Sequence, residues 1–296
     1  MTAFFDRHFR TRPARLDLYP PALAGDLAYD LFCTPKRSSR RSPDHALLAD
    51  RARFHLRNAT WVEVPTTEGR VQAYVFEPDA GGASRGGVLI AHGWTSEASF
   101  MAVFAEQLRR AGFRVVAFDQ PGHGRSAQEK ASLIDCSRAL LQVADALGPI
   151  RFGVAHSMGG LALLLVGEGG PPMPRAYPFE RYVLVSVPNA FRAITQEFAD
   201  EVRLPEAGAR AYERRLERIA HRPIDTFTGS RLLAATGRPA LVLHARDDRE
   251  VAFRHAEEIA AACPLAELKA FDGLGHRNIL FAPPVIRAAL SYLSQD

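Results

Sequence analysis

The sequence predicts an α/β fold in which a mostly parallel sheet of eight strands is flanked by helices and carries a small helical cap insertion. From residue 60 onward, short apolar or β-branched runs alternate with amphipathic stretches, as the strands and crossover helices of a parallel sheet do. Several of these runs are apolar at every position, which is typical of strands buried on both faces. One connection between strands, residues 189–235, is far longer than a crossover helix needs.

The predicted strands are the runs that combine apolar and β-branched residues. In order they are 60–64, 71–77, 87–91, 114–119, 151–155, 182–187, 240–244 and 267–271. Apolar residues recur at spacings of three and four in three of the intervening stretches, which predicts helices that pack on the sheet. These stretches are 100–111, 252–263 and 285–293.

Two regions depart from the alternation. Residues 1–58 contain no clear strand, and two possible helices at 17–31 and 43–56 predict a helical N-terminal extension. In residues 189–235, Ala209, Tyr212, Leu216 and Ile219 form an apolar stripe among charged residues, which predicts a helical cap. Residues 59–188 and 236–296 then form the core domain. As a hypothesis, the cap acts as a lid that sets substrate size.

Composition and charge exclude several classes of protein. With 296 residues, 47% hydrophobic and 24% charged, the chain is neither disordered, collagen-like nor a coiled coil. Residues 1–58 hold eleven Lys or Arg against six Asp, a net charge of +5, but the basic residues lie on no recognisable nucleic-acid module. No apolar run reaches the roughly 18 residues of a membrane span, and no secretory signal is evident.

The three cysteines favour a reducing compartment. Cys33, Cys136 and Cys263 are odd in number and far apart in sequence, so neither a disulfide framework nor a metal site is expected. We therefore expect a cytoplasmic protein with no cofactor, no nucleic-acid partner and no membrane span. The oligomeric state is open.

The most informative segment is 151–160, an apolar strand that ends in Ser157 and continues into an apolar helix. This is typical of a nucleophile elbow, a strained turn where the residues two before and two after the serine must be small. Ala155 and Gly159 meet that requirement, although Ala155 replaces the more usual glycine.

Four other segments resemble the α/β-hydrolase fold superfamily, and the resemblance covers roughly residues 60–294. They are LIAHGW at 89–94, DQPGHGRS at 119–126, LVLHARDDREV at 241–251 and GLGH at 273–276. They follow the family's order and correspond to its oxyanion loop, its D-x-x-G-H-G-x-S turn, its acid loop and its histidine loop. The resemblance implies an eight-stranded hydrolase sheet with a Ser, acid, His triad.

Ser157, Asp248 and His276 would form that triad. A serine hydroxyl needs an imidazole to remove its proton, and the imidazole needs a carboxylate to fix its tautomer. His255 also follows the acid in the chain, but it lies in a predicted helix, whereas His276 lies in a glycine-flanked loop. The family's spacing selects Asp248 over the adjacent Asp247, which remains the alternative acid.

The resemblance also implies an oxyanion hole made by the backbone N–H groups of Trp94 and Met158. The indole of Trp94 either walls the acyl pocket or is a core residue beneath the cap. His92, His123 and His156 are interpreted as structural or oxyanion-loop residues.

The expected function is a serine hydrolase that cleaves a carboxylic ester of a small-molecule acyl substrate through an acyl-enzyme. A serine at the elbow argues against dehalogenase and epoxide hydrolase chemistry, which need a carboxylate nucleophile. A thioesterase, acyltransferase, peptidase or C–C hydrolase on the same triad remains an alternative. The other alternative is a ligand-binding protein with low turnover on the same scaffold.

Overall fold

The computed structural model describes residues 15–35, 52–79 and 84–295, and its centre is an eight-stranded sheet. The strands lie in the order β1-β2-β4-β3-β5-β6-β7-β8. Their bounds are β1 Thr60–Thr66, β2 Gly69–Phe76, β3 Gly87–Ala91, β4 Arg114–Phe118, β5 Phe152–His156, β6 Arg181–Val185, β7 Ala240–Ala245 and β8 Ala266–Phe271. The predicted helix at 43–56 lies mostly outside the described residues, and its last residues form a 3-10 turn, Phe54–Asn58.

The pairing confirms the predicted fold class. Strand β2 pairs antiparallel with both β1 and β4, and the pairs from β3 to β8 are parallel. Parallel strands end at the same edge of a sheet, so the residues that follow β3, β5, β6 and β7 are brought together there.

The burial of the central strands on both faces explains why their sequences are apolar at every position. Every residue of β3, β5 and β7 is buried, because helices cover both faces of the sheet. Alternate residues enter opposite cores: Leu89 and Ala91 pack in one layer, and Val88 and Ile90 in the other. Strand β8 lies at the edge and alternates between half-buried and exposed positions.

The described residues form helices that follow or connect the strands. Their bounds are α1 Pro21–Phe32, α2 Ala102–Arg110, α3 Leu133–Leu147, α4 Met158–Glu168, α5 Phe191–Glu201, α6 Glu206–Ala220, α7 Gly229–Thr236, α8 Arg254–Ala261, α9 Gly275–Asn278 and α10 Pro283–Leu293. Among these described helices, none is long and apolar enough to cross a membrane.

The helix predicted at 17–31 is interrupted near its start. A 3-10 turn, Leu16–Leu18, precedes α1, and α1 begins at Pro21, which has no N–H group to leave unpaired in the first helical turn. Proline at residue 20 disfavours a helical conformation for the residue before it, so the two segments are separate.

Helix α1 packs along α6 of the predicted cap. A Cβ atom on Gly25 would lie 2.6 Å from the backbone nitrogen of Tyr212, so only glycine allows this approach. Arg215 of α6 pairs with Asp26 at 2.6 Å and lies over the ring of Tyr29 at 4.6 Å. Two helices far apart in sequence, α1 and α6, therefore form one unit.

Helix α7, although within the predicted cap range, packs on α4 beside the sheet. The division of the chain at residues 58, 188 and 235 stays a prediction.

Candidate active site

Ser157 occupies a sharp turn between β5 and α4. Its φ of 52° and ψ of −133° are unusual for a residue with a side chain, and its amide donates to the Val185 carbonyl at 3.0 Å. A Cβ atom on Gly159 would collide with the carbonyl oxygen of His92, so a larger residue would separate α4 from β3. The small residue expected at this position is thus required by packing.

The loop after β3 passes directly beside the serine. A Cβ atom on Gly93 would lie 2.9 Å from Cβ of Ser157. Among the hydrogen bonds of residues 84–295, neither the Trp94 amide nor the Met158 amide has an acceptor. Two backbone donors near one serine are available to bind a negatively charged oxygen.

Two buried histidines fix the shape of this loop. The His92 Nε2 atom accepts from the Gln120 amide at 3.0 Å, so its Nδ1–H donates to the Gly93 carbonyl at 2.8 Å. The His123 Nε2 atom accepts from the Thr95 amide at 3.1 Å. Both rings are therefore neutral scaffold groups.

A buried carboxylate anchors the same loop from β4. Asp119 accepts from the Ala98 amide at 2.8 Å and from the Tyr74 hydroxyl at 2.9 Å. Burial raises the pKa of Asp119 to about 6, although its donors favour the ionised form. The D-x-x-G-H-G-x-S segment thus supports the loop through Asp119 and His123.

The structure brings Asp248 and His276 together. The Nδ1 atom of His276 lies 2.8 Å from Oδ2 of Asp248, and the amides of Glu250 and Val251 each donate to Oδ1 of Asp248 at 2.9 Å. Burial opposes ionisation of Asp248, but hydrogen bonds from His244 and His276 outweigh it and hold the pKa of the carboxyl well below its usual range. An ionised acceptor fixes the proton of His276 on Nδ1, which leaves Nε2 free to act as a base.

Asp247, the alternative acid, points elsewhere. It is exposed and accepts from the Leu274 amide at 3.2 Å, in the loop that leads to His276. Its carboxylate therefore supports this loop and does not contact the imidazole.

His156 links the serine turn to His276. Its Nε2 lies 2.9 Å from the carbonyl oxygen of His276, and the two rings are 4.6 Å apart. Because a carbonyl only accepts, His156 donates, and burial lowers the pKa of this imidazole well below its usual value. The sequence analysis interpreted His156 only as a structural or loop residue. The position of His156 next to Ser157 in the sequence was the one observation that could have suggested a contact with His276.

Ser157 lies beside Gly93 and next to His156 in the chain, and it is not hydrogen-bonded to Asp248 or His276 in the described residues. Within the described residues, the Ser157 hydroxyl makes no hydrogen bond to the His276 imidazole. Contacts of this kind are often long in a free enzyme and tighten when substrate binds. The structure thus joins Asp248 and His276, and Ser157 follows directly on His156, which donates to the His276 carbonyl.

The indole of Trp94 is buried against α1. It is 6% exposed and stacks on Phe32 of α1 at a centroid distance of 5.9 Å. In residues 15–35, 52–79 and 84–295, no three His, Cys, Asp or Glu side chains come close enough to hold a metal ion.

Two proteins named as hydrolases and a solved esterase structure are similar to this chain. The chain is 29% identical over 211 residues to the candidate carbamate hydrolase RutD of Variovorax paradoxus (strain S110), which covers 69% of this chain and 73% of that one. It is 34% identical over 110 residues to the monoacylglycerol lipase of Mycolicibacterium smegmatis (strain ATCC 700084 / mc(2)155), which covers 34% and 39%. The fold matches the Pyrococcus furiosus esterase Pf2001 with a TM-score of 0.58 at 19% identity, over 81% of this chain and 93% of that one.

The profile of the Alpha/beta hydrolase family matches residues 88–289, a span that runs from β3 to α10 and includes every candidate site residue. The match covers most of the chain and contains the five segments that the sequence analysis singled out. The chain belongs to the alpha/beta hydrolase family.

Proposed function

We propose that this protein is a serine hydrolase that cleaves a carboxylic ester through an acyl-enzyme. Ser157 is the nucleophile, His276 the general base and Asp248 the acid of the triad. The observation that best supports this is the 2.8 Å hydrogen bond between Asp248 and His276 at the edge of the sheet where Ser157 adopts its strained turn.

The first half of the reaction forms the acyl-enzyme. The Ser157 oxygen attacks the ester carbonyl carbon while Nε2 of His276 takes the hydroxyl proton, and Asp248 stabilises the resulting imidazolium. The carbonyl oxygen becomes negatively charged and accepts from the amides of Trp94 and Met158. His276 then gives its proton to the departing alcohol as the bond between carbon and the alcohol oxygen breaks.

Water completes the reaction. A water molecule gives a proton to His276 and attacks the acyl carbon, and the proton returns to Ser157 as its bond to carbon breaks. The carboxylic acid leaves and the enzyme is restored. Every step uses the same base and the same two amides, so no cofactor is needed.

The relatives support a hydrolase of acyl compounds. A carbamate and a monoacylglycerol both contain a carbonyl carbon bonded to a heteroatom, which is the bond type that this mechanism cleaves. A thioesterase, an acyltransferase or a C–C hydrolase would use the same residues. Turnover of p-nitrophenyl esters, an acyl-CoA and an alkyl carbamate, measured side by side, ranks these substrates.

The nucleophile is tested with a fluorophosphonate, which forms a bond from the serine oxygen to phosphorus as fluoride leaves. We expect stoichiometric labelling of the wild type and none of Ser157→Ala. Hydrolysis of p-nitrophenyl butyrate should fall by several orders of magnitude in that variant.

Ser186→Ala is the matched control. Ser186 is fully buried, follows the neighbouring strand β6 and also has a positive φ, of 49°. We expect this variant to keep its labelling and its activity. Labelling that persists in Ser157→Ala would contradict the assignment, and a protein that labels but does not turn over any ester would support the ligand-binding alternative.

A further inference from the structure

We propose that His244, near the end of β7, is a positioning residue of the candidate triad: its Nε2–H group is a second imidazole donor to Asp248 and reduces how strongly this carboxylate stabilises protonated His276. The inference rests on the proposed function, in which His276 is the base. It gives a role to a histidine that the proposed mechanism does not use.

His244 is the polar exception in a buried apolar strand. All six residues of β7 are buried, and the other five side chains are apolar. A buried imidazole loses its hydration, so it is tolerated where hydrogen bonds replace the lost water. The groups that contact this ring therefore indicate what the histidine does.

Two acceptors lie against the same nitrogen of this ring. Nε2 of His244 is 2.8 Å from the carbonyl oxygen of Val251 and 3.4 Å from Oδ2 of Asp248. A carbonyl and a carboxylate only accept, so the ring proton is assigned to Nε2, which donates to Val251 and, as a longer and weaker contact, to Asp248. Nδ1 is buried without a hydrogen-bond partner in the described residues, and a proton there would be unpaired. The surroundings thus favour one tautomer of His244.

His244 and His276 contact the same carboxylate oxygen. Oδ2 of Asp248 is 2.8 Å from Nδ1 of His276 and 3.4 Å from Nε2 of His244. The other oxygen accepts from the amides of Glu250 and Val251. The Asp248 side chain is fully buried, so each donor acts with little screening by water. A donor that stabilises the negative charge on Oδ2 leaves less of that charge to stabilise the imidazolium of His276.

His244 also holds the loop that carries Asp248. Val251 accepts from His244 through its carbonyl and donates to Asp248 through its amide. The ring of Phe253 packs edge-on against His244 with 5.9 Å between centroids. The imidazole is thus fixed between β7 and this loop, and the orientation of Asp248 depends on it.

Other titratable or charged groups lie around the two histidines. They are His156, whose ring is 4.6 Å from that of His276, Arg277 of α9 with its ion-pair partner Glu250, and His255 of α8. Variants of His244 keep all of these groups. A change in the protonation of His276 in such variants therefore reports the loss of His244 itself.

The pH profile of kcat/KM tests this role, because its fall at low pH reports protonation of the base in the free enzyme. In His244→Leu, Asp248 loses a donor and stabilises protonated His276 more strongly. For p-nitrophenyl butyrate, we expect this fall to move to higher pH by about half a unit. The kcat value should decrease because Asp248 is held less firmly, while KM should change less than about twofold because His244 does not touch the substrate. A purely structural role would lower kcat or stability without the upward shift.

His244→Gln and His244→Asn are a matched pair. The amide nitrogen of glutamine is as many bonds from Cβ as Nε2 of histidine, so it can still donate to Val251 and Asp248. The amide nitrogen of asparagine corresponds to Nδ1, which has no partner in the described residues. We expect the low-pH fall of His244→Gln to stay near that of the wild type, and that of His244→Asn to shift upward as in His244→Leu.

His255→Leu is the control for loss of a neighbouring imidazole. Nδ1 of His255 accepts from the Asn189 amide at 3.3 Å, and within the described residues no hydrogen bond joins His255 to Asp248 or His276. The profile should therefore stay in place. If His244→Leu does not fold, His244→Asn provides the same comparison.

NMR spectroscopy separates this inference from the proposed function. The imidazole signals of His276, assigned with His276→Gln, should titrate at correspondingly higher pH in His244→Leu whether or not the protein hydrolyses esters. Absence of fluorophosphonate labelling and of ester turnover in the wild type would overturn the function. A His276 titration that is unchanged or moves to lower pH in His244→Leu, or that moves equally in His255→Leu, would overturn the role of His244 alone.

Discussion

At the scale of single residues, the candidate site depends on which of two adjacent carboxylates contacts His276. Asp247 and Asp248 leave β7 consecutively, yet the turn buries one and exposes the other. Asp248 is held by two amides and contacts His276, while Asp247 supports the Leu274 amide. A carboxylate that balances an imidazolium must contact the imidazole and stay ionised, and the two amides and His276 hold Asp248 in that state.

Replacing the two aspartates by asparagine should therefore give unequal results. Asp248→Asn should lower kcat by about four orders of magnitude, because an amide stabilises the wrong tautomer of His276 and cannot balance its charge. Asp247→Asn keeps an oxygen that accepts from the Leu274 amide, so kcat should change less than about tenfold. Steady-state kinetics with one p-nitrophenyl ester measures both, and the reverse ranking would move the acid to Asp247.

At the scale of secondary structure, helix α6 of the predicted cap is held by α1, a helix near the N-terminus. The apolar stripe of α6 packs against α1, since Tyr212 and Leu216 lie in the same core as Phe32. The lid role of residues 189–235 stays a prediction. A lid that moves would have to carry α1 with it or break the contact at Gly25.

Gly25→Leu tests this contact. The new side chain cannot fit where a Cβ atom would already lie 2.6 Å from the Tyr212 nitrogen, so the free energy of unfolding should fall by about 1 to 3 kcal/mol. Amide hydrogens of α6 should exchange faster. Ala22→Leu adds a leucine to an exposed position of the same helix and should leave both measurements unchanged. If Gly25→Leu also left both measurements unchanged, the close contact between α1 and α6 would be contradicted.

At the scale of the whole molecule, a buried neutral histidine makes stability depend on pH. The pKa of His156 is well below its usual value because of burial and the nearby His276. The unfolded chain, with a histidine pKa of about 6.5, binds a proton that the folded chain does not. Acidification therefore favours unfolding, and the free energy of unfolding should decrease as pH falls below about 6.5.

His156→Gln isolates this contribution. Glutamine keeps an N–H that can donate to the His276 carbonyl but does not titrate in this range. Between about pH 6.5 and 5, the stability of the wild type relative to the variant should fall by up to about 1.4 kcal/mol per pH unit. Chemical denaturation at several pH values measures the difference, and a constant difference would show that His156 titrates normally in the folded protein.

Much of the fold and of the site follows from the sequence alone. Strands such as β3 and β5 are buried on both faces, so they appear as unbroken apolar runs that local pattern identifies. Ser157 and Gly159 are recognisable because a strained turn between a strand and a helix accepts only small neighbours. The spacing from the strand histidine selected Asp248, which the structure places against His276.

Other features were decided only by tertiary structure. The contact of Phe32 with Trp94, the fit of Gly25 against α6 and the hydrogen bond from His156 to the His276 carbonyl join residues that are 62 or more positions apart. Periodicity reports which face of an element is buried, but not which partner buries it. The sequence thus determined the sheet and the candidate residues at its edge, whereas the partners of Trp94, of α1 and of His276 depended on three-dimensional packing between distant segments. The physical reason is that apolar burial is non-directional, so only the folded geometry selects among apolar surfaces of similar size.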